Sequence, residues 1–177
     1  LEDVFIGGSR NSKAAIFIQQ ASGKLIKTVQ PVLDSDSSYE NTDAIWADVN
    51  NDGNIDLIVA SGGNEFYGSD MHNTPRVYMN SGKAVFTKKE NAFDSLYMTA
   101  SCVTVNDFNG DGFVDLFIGG RAVPYEYGKV PQSYLLQNDG TGKFSRFSFD
   151  DLKQDITWEL IKNQTNFNSN KQNVGFF

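Results

Sequence analysis

The sequence DVNNDGNIDL at residues 48–57 decides the fold class, because alternating acidic and amide side chains lead directly into an apolar run at residues 57–60. The pattern returns as DFNGDGFVDL at residues 107–116, with Asp107 and Asp115 each 59 positions after their counterparts. Repetition at a fixed interval of tens of residues is typical of proteins built from repeated structural units. The β-branched and aromatic residues that follow each loop favour a strand over a helix. The sequence therefore predicts a repeated unit of loop and strand.

Each loop belongs to a longer unit that contains four strand-like runs. In the first copy these runs lie at residues 44–47, residues 57–60, residues 76–79 and around Phe86, and the second copy repeats the order. Residues 3–8 mirror residues 115–120, which indicates the remainder of an earlier unit. Four short antiparallel strands, repeated, are the pattern of a propeller blade. The predicted fold is all-β, with four-stranded antiparallel blades of a partial β-propeller and a metal loop between the first and second strands.

The repeat divides the chain into four predicted parts. They are a partial blade and inter-blade connection at residues 1–43, a blade with the first loop at 44–99, a blade with the second loop at 100–149, and a non-repeat, partly disordered tail at 150–177. The Asp- and Ser-rich residues 34–43 are predicted to be an exposed connection. Cys102, the only cysteine, lies in an apolar run and is predicted to be a small core residue.

The two loops are predicted to bind Ca²⁺, a hard cation that takes six to eight oxygen ligands. Side chains at loop positions 1, 3, 5 and 9, together with the carbonyl at position 7, can converge on one point, and the glycine at position 6 allows the sharp turn. The predicted ligands are Asp48, Asn50, Asp52, the carbonyl of Asn54 and Asp56 in the first loop, and Asp107, Asn109, Asp111, the carbonyl of Phe113 and Asp115 in the second.

Other uses of the same motif are separated by the residue at position 12. An EF-hand requires Glu there and a helix afterwards, but position 12 is Val59 in the first loop and Ile118 in the second. Dockerin-like loops also carry a carboxylate at this position and lead into helices. Asp, Asn and Gly also form ordinary turns, but two loops with all five key residues matched favour a metal site. Mg²⁺ fits less well because it prefers octahedral sites that retain water.

The composition limits the possible partners. A formal charge of −7 argues against nucleic acid, which requires clustered Lys and Arg. Two bound Ca²⁺ ions would change this charge from −7 to −3. No run of about 18 apolar residues is present, so no membrane insertion is expected.

The motifs resemble the FG-GAP and VCBS repeat families, whose calcium-binding blades occur in integrin α-subunit propellers and in many secreted bacterial proteins. The likeness rests on the two loops and on residues 117–120, and it covers roughly residues 1–149. Residues 61–66, 119–124 and 134–144 look like bacterial VCBS proteins related to the cartilage acidic protein group. The resemblance implies a secreted or surface-anchored propeller and an extracellular, periplasmic or cell-surface location. It implies no single activity.

The leading functional hypothesis is a binding or scaffold module whose ions stiffen the blades and fix the surface loops. Two long aromatic loops are the predicted contact with a carbohydrate or an extracellular protein, because rigid frameworks often present binding loops. The candidate residues are Phe66, Tyr67, Asp70, His72, Arg121, Tyr125, Glu126 and Tyr127.

Two alternatives belong to other classes. A propeller lyase or hydrolase acting on glycans would need a base and an acid in a pocket, and the candidates are His72 with the carboxylates Glu65, Asp70 and Glu126. These carboxylates can approach one another only if the two long loops meet. A structural module would associate with further blades or with another copy, because open edge strands invite pairing.

Overall fold

The computed structural model describes residues 2–147, and the predicted tail at residues 150–177 lies outside this range. Within it, strands dominate, with one short α-helix and one 3-10 turn. The strands are β1 Val4–Ile6, β2 Ala15–Gln19, β3 Leu25–Lys27, β4 Asn41–Ala47, β5 Asp56–Ser61, β6 Arg76–Asn80, β7 Phe86–Lys88, β8 Thr99–Asn106, β9 Asp115–Ala122, β10 Tyr134–Asn138 and β11 Phe144–Arg146. Helix α1 spans Pro31–Ser35, and the 3-10 turn spans Met71–Asn73.

The strands form three antiparallel sheets in which sequence neighbours pair. The first sheet has the order β1-β2-β3, the second β4-β5-β6-β7 and the third β8-β9-β10-β11. The prediction of an all-β chain with four-stranded antiparallel sheets is therefore confirmed. No sheet closes on itself within residues 2–147, and their arrangement in a propeller stays a prediction.

The apolar run after the first loop forms the most buried strand of the second sheet. Every residue of β5 is buried, and its side chains alternate between two clusters. Leu57 and Val59 pack into the cluster that contains Ile16 of the first sheet. Ile58 and Ala60 pack into the cluster that contains the buried side chains of the third sheet, such as Leu116. The second sheet thus lies between the other two, which explains why β5 is continuously apolar.

The prediction that Cys102 is a core residue is wrong, because Cys102 is exposed. A register shift in β8 between Ala100 and Cys102 interrupts the alternation, so Ser101 and Cys102 are both exposed. Cys102 pairs with Gly119, which has no side chain to cover the sulfur. The apolar pattern alone did not reveal this bulge.

The prediction of an exposed connection at residues 34–43 also needs correction. Tyr39 is 5% exposed, and Asn41 already begins β4. The Tyr39 ring lies 4.1 Å from the guanidinium carbon of Arg76 in β6. The connection is thus partly buried because it packs against the second sheet.

Candidate metal sites and ligand surface

The first acidic loop joins β4 to β5 and is closed by hydrogen bonds from its own backbone. The carboxylate of Asp48 accepts from Asp52 N at 3.2 Å and from Gly53 N at 2.8 Å. The carboxylate of Asp52 accepts from Asn54 N at 2.8 Å and from Asn50 Nδ2 at 3.0 Å. The side chains at positions 1, 3 and 5 therefore hydrogen-bond within the loop itself.

The second loop joins β8 to β9 and repeats these contacts atom for atom. Asp107 accepts from Asp111 N at 3.1 Å and from Gly112 N at 2.9 Å. Asp111 accepts from Phe113 N at 2.9 Å and from Asn109 Nδ2 at 2.7 Å. Gly53 and Gly112 have φ of +85° and +88°, which is the left-handed region where glycine is favoured. The sequence match between the loops therefore extends to their geometry.

The aspartate at position 9 is buried beneath each loop. Asp56 and Asp115 are both 0% exposed. Asp56 accepts from Val49 N at 3.1 Å and from Asn80 N at 2.7 Å, and Asp115 accepts from Phe108 N and Asn138 N at 3.1 and 2.8 Å. Because each carboxylate takes one backbone donor from its own loop and one from the third strand of the sheet, it joins these two parts of the sheet.

Charge at the two sites is unbalanced. Burial, with a further contribution from the carboxylates at positions 1 and 5, raises the pKa of Asp56 and of Asp115. The hydrogen bond from Asn50 lowers the pKa of Asp52, and the backbone N–H of Phe113 lowers that of Asp111. Among residues 2–147, no Lys, Arg or His nitrogen lies within 4.0 Å of any of these loop carboxylates. Each loop thus concentrates negative charge that no basic side chain of the described residues neutralises.

The carboxylates are not already gathered around one point. The described part of the chain contains no group of three or more His, Cys, Asp or Glu side chains placed to hold a metal ion. The loop carboxylates accept from N–H groups instead, while retaining further lone pairs. A cation would therefore have to draw these side chains inward.

Two asparagines outside the loops, Asn80 and Asn138, support the sites. Besides its N–H bond to Asp56, Asn80 donates from its side chain to Ile55 O at 3.0 Å. Asn138 makes the equivalent bond to Val114 O at 3.0 Å. Because the two asparagines recur at similar distances after the two loops, the sequence repeat could have identified them as supporting residues.

The two loops also contact each other. Asn51 Nδ2 donates to Gly112 O at 3.0 Å, and Asn138 Nδ2 donates to Val49 O at 2.8 Å. A side chain at position 4 of the first loop thus reaches the backbone of the second. The loops therefore lie next to each other where the second and third sheets meet.

The two long aromatic loops meet as well. The Tyr67 hydroxyl lies 3.4 Å from Glu126 Oε1, and the rings of Tyr67 and Tyr125 are edge to face with centroids 6.2 Å apart. The Tyr125 hydroxyl donates to Glu65 O at 3.3 Å. Lys129 binds Glu126 at 2.8 Å and lowers the pKa of that carboxyl group. These five residues of the two long loops therefore form one connected surface.

Tyr127 and Arg121 extend this surface towards solvent. The side chain of Tyr127 is fully exposed. A shallow depression of about 540 Å³ is lined by four of the candidate residues, Arg121, Tyr125, Glu126 and Tyr127. A second depression, of about 300 Å³, lies between Tyr67, Glu126 and Tyr97. The surface offers aromatic faces beside charged groups, an arrangement suited to recognition of a polar ligand.

The other three candidate residues form a separate cluster. His72 stacks on Phe66 with ring centroids 4.1 Å apart, and its Nδ1 lies 2.7 Å from Asp70 Oδ1. Its Nε2 lies 3.1 Å from Ser38 Oγ. The hydrogen-bond contacts thus run from Ser38 to His72 to Asp70, in the same order as in a nucleophilic triad. However, the amide after the serine, Tyr39 N–H, already donates to Asp36 O, so it is not free to stabilise an oxyanion.

No family model and no curated protein matches this chain. Within the described residues, no helix has both the length and the apolar character needed to cross a membrane.

Proposed function

We propose that the chain is a calcium-binding module of the FG-GAP and VCBS repeat type, built from propeller blades, that acts outside the cytoplasm as a binding scaffold. The observation that carries this proposal is the pair of geometrically matched loops, each with a buried aspartate and without a basic partner among residues 2–147. The proposed ligand of the module is a carbohydrate or an extracellular protein, bound by the surface of the two long loops.

The residues present fit the ion that the motif implies. Each loop supplies carboxylate and amide oxygens, the ligand type that Ca²⁺ prefers, without nitrogen or sulfur ligands. The first site would use Asp48, Asn50, Asp52, Asp56 and the carbonyl of Asn54. The second would use the matched set of Asp107, Asn109, Asp111, Asp115 and the carbonyl of Phe113. A bound cation would supply the positive charge that these carboxylates lack.

The contacts of Asp56 and Asp115 explain how a bound ion would stabilise the ligand surface. Asp56 connects the first loop to Asn80 at the end of β6, and β5 leads from Asp56 into the first long loop. In the third sheet, Asp115 is placed in the same way at the start of β9. Stabilising either aspartate therefore stabilises the strand that carries one of the binding loops.

Calorimetric titration with Ca²⁺ tests this proposal. We expect two sites in the parent chain, and one site in each of the Asp52→Ala and Asp111→Ala variants. Asp94→Ala is the matched control, because Asp94 is an exposed aspartate outside both loops. The proposal fails if the folded parent chain takes up no Ca²⁺.

Assembly with further blades or another copy is a second candidate function, which the first sheet favours. Its edge strands β1 and β3 expose Ile6, Leu25 and Ile26 at 54%, 44% and 46%. Exposed apolar edge strands promote pairing between chains. Light scattering tests this candidate, and a monodisperse monomer at high concentration excludes self-assembly.

A further inference from the structure

A small basic pocket adjoins the aromatic surface. It has a volume of about 230 Å³ and contains Arg76, Lys88 and Lys89 in its lining. Glu90 is the one acidic side chain among the lining residues, although the chain as a whole has 22 acidic and 15 basic residues. Ligand pockets for drug-sized molecules usually have roughly 300–1,000 Å³. This pocket therefore suits one charged group of a larger ligand.

Arg76 gives the pocket a positive charge that no carboxylate within hydrogen-bond distance in residues 2–147 balances. The residue is 4% exposed, and its Nη atoms donate to three neutral oxygens, on Asn41, Ser61 and Tyr78, at 2.6, 3.3 and 3.0 Å. Its Nε is buried and has no hydrogen-bond partner in the part of the chain that the structure describes. A buried guanidinium group normally requires a carboxylate, because removing it from water is costly.

The nearest carboxylate is shared. Asp36 lies 4.0 Å from Arg76, beyond hydrogen-bond distance, and binds Lys88 at 3.0 Å. The Tyr78 hydroxyl also donates to Asp36 at 2.7 Å. Two buried or half-buried cations thus share one carboxylate, which leaves a surplus positive charge beside the pocket.

The sheet itself does not require this arginine. Arg76 pairs with Val59 in the second sheet, and the residue in the matching position of the third sheet is Tyr134, which pairs with Ile118. In the first sheet that position is Ala15, which pairs with Ile6. The buried charge is therefore a feature of one sheet only.

The pocket and the ligand surface share Tyr97. This residue is 39% exposed and lines both the basic pocket and the depression that contains Tyr67 and Glu126. An aromatic face thus stands directly beside a site for one negative group. A uronic acid combines these features, because its carboxylate is attached to the sugar ring.

We propose that the ligand of the loop surface is an acidic carbohydrate, one of whose carboxylate groups enters the pocket lined by Arg76 and Lys88. The inference rests on the proposed binding function and names its ligand class. The sugar ring packs on Tyr97, and the lysine ammonium groups donate to the carboxylate. Arg76 supplies positive charge through a poorly solvated interior, where it acts more strongly than in water.

Calorimetry with trigalacturonate and its trimethyl ester tests the proposal, because the two ligands share their rings and differ in charge. We expect the acid to bind at least about tenfold more tightly, as hydrogen bonds to a charged group provide. Lys88→Gln and Arg76→Gln should each remove most of this preference. Lys83→Gln, which removes an exposed lysine outside the pocket, should retain it. Circular dichroism establishes folding, and half-buried Lys88 provides the test if Arg76→Gln does not fold.

The outcomes are separable. If trigalacturonate and its ester bind equally tightly, the inference is overturned and the surface binds sugars without regard to charge. If the preference for the acid survives both Lys88→Gln and Arg76→Gln, the inference is overturned as well. Equally tight binding of triglutamate that Lys88→Gln abolishes overturns the carbohydrate assignment in favour of an acidic peptide. Absence of binding to either sugar also overturns the inference. The calcium titration decides the underlying scaffold proposal independently of these results.

Discussion

Removal of Ca²⁺ should lower the melting temperature of the folded chain, and the structure sets the scale of the effect. Burial raises the pKa values of Asp56 and Asp115, and the neighbouring loop carboxylates raise them further. The ionised forms are thus held at a cost that a cation would offset. A ligand that binds only the folded state stabilises it by RT ln(1 + [L]/Kd).

With dissociation constants of about 10⁻⁴–10⁻³ M and about 10 mM free Ca²⁺, each site contributes about 1.4–2.7 kcal/mol. Two sites together contribute about 3–5 kcal/mol, which corresponds to a shift of about 6–20 °C for a domain of this size. Differential scanning calorimetry in 10 mM CaCl₂ and in EGTA measures the shift. Asp52→Ala and Asp111→Ala should each remove at least half of it.

The control Asp94→Ala should keep the full difference between CaCl₂ and EGTA. MgCl₂ at the same concentration should give a smaller shift, because Mg²⁺ fits oxygen-rich flexible loops less well. If the parent chain melts at one temperature in CaCl₂ and in EGTA, and calorimetric titration detects no uptake, the reasoning from the loops is refuted.

Three further predictions concern the fold. Asp36→Asn removes the carboxylate that Lys88 and buried Arg76 share. The free energy of unfolding, measured by urea denaturation, should therefore fall by about 3 kcal/mol. Gly142→Ala should lower the free energy of unfolding by about 2–4 kcal/mol, because φ is +78° and the new Cβ would lie 2.9 Å from a methyl carbon of Val49. Gly128→Ala is the control: its φ is +80°, but the space around it is open, so the loss should be about 1 kcal/mol. Burial raises the pKa of Tyr78, so its folded state keeps the phenol proton, and the stability it contributes declines above about pH 10, where the unfolded phenol ionises; alkaline denaturation followed by circular dichroism should become less steep in Tyr78→Phe.

The local chemistry of the metal loops could be predicted from the sequence, because glycine, asparagine and aspartate act there on their own backbone. The strands beside the loops followed from their apolar runs for the same reason. Gly53 and Gly112 have the positive φ that the motif required. The pairing of β4 with β5 and of β8 with β9 follows directly from the short loops between them.

Interactions between distant segments could not be predicted in this way. The exposure of Cys102 depends on a bulge, and the burial of Tyr39 depends on an arginine 37 positions later in the chain. The sequence also did not reveal the surroundings of His72, whose ring stacks on Phe66 and approaches Ser38 in a distant segment. Each outcome depends on which surface a neighbouring sheet covers, and no local pattern encodes that choice.

The contact between the two loops has a consequence for any ion that they bind. Asn51 of the first loop donates to the backbone of Gly112 in the second, and Asn138, whose N–H holds Asp115, donates from its side chain to Val49 O. Ordering either loop therefore fixes a hydrogen-bond partner of the other. Sites that share partners are not energetically independent, so their contributions to stability should depart from simple addition. The departure should be favourable, because the conformational entropy lost when the first loop is ordered is not lost again by the second. The interface between the second and third sheets, and not either sheet alone, is the unit that a cation would stabilise.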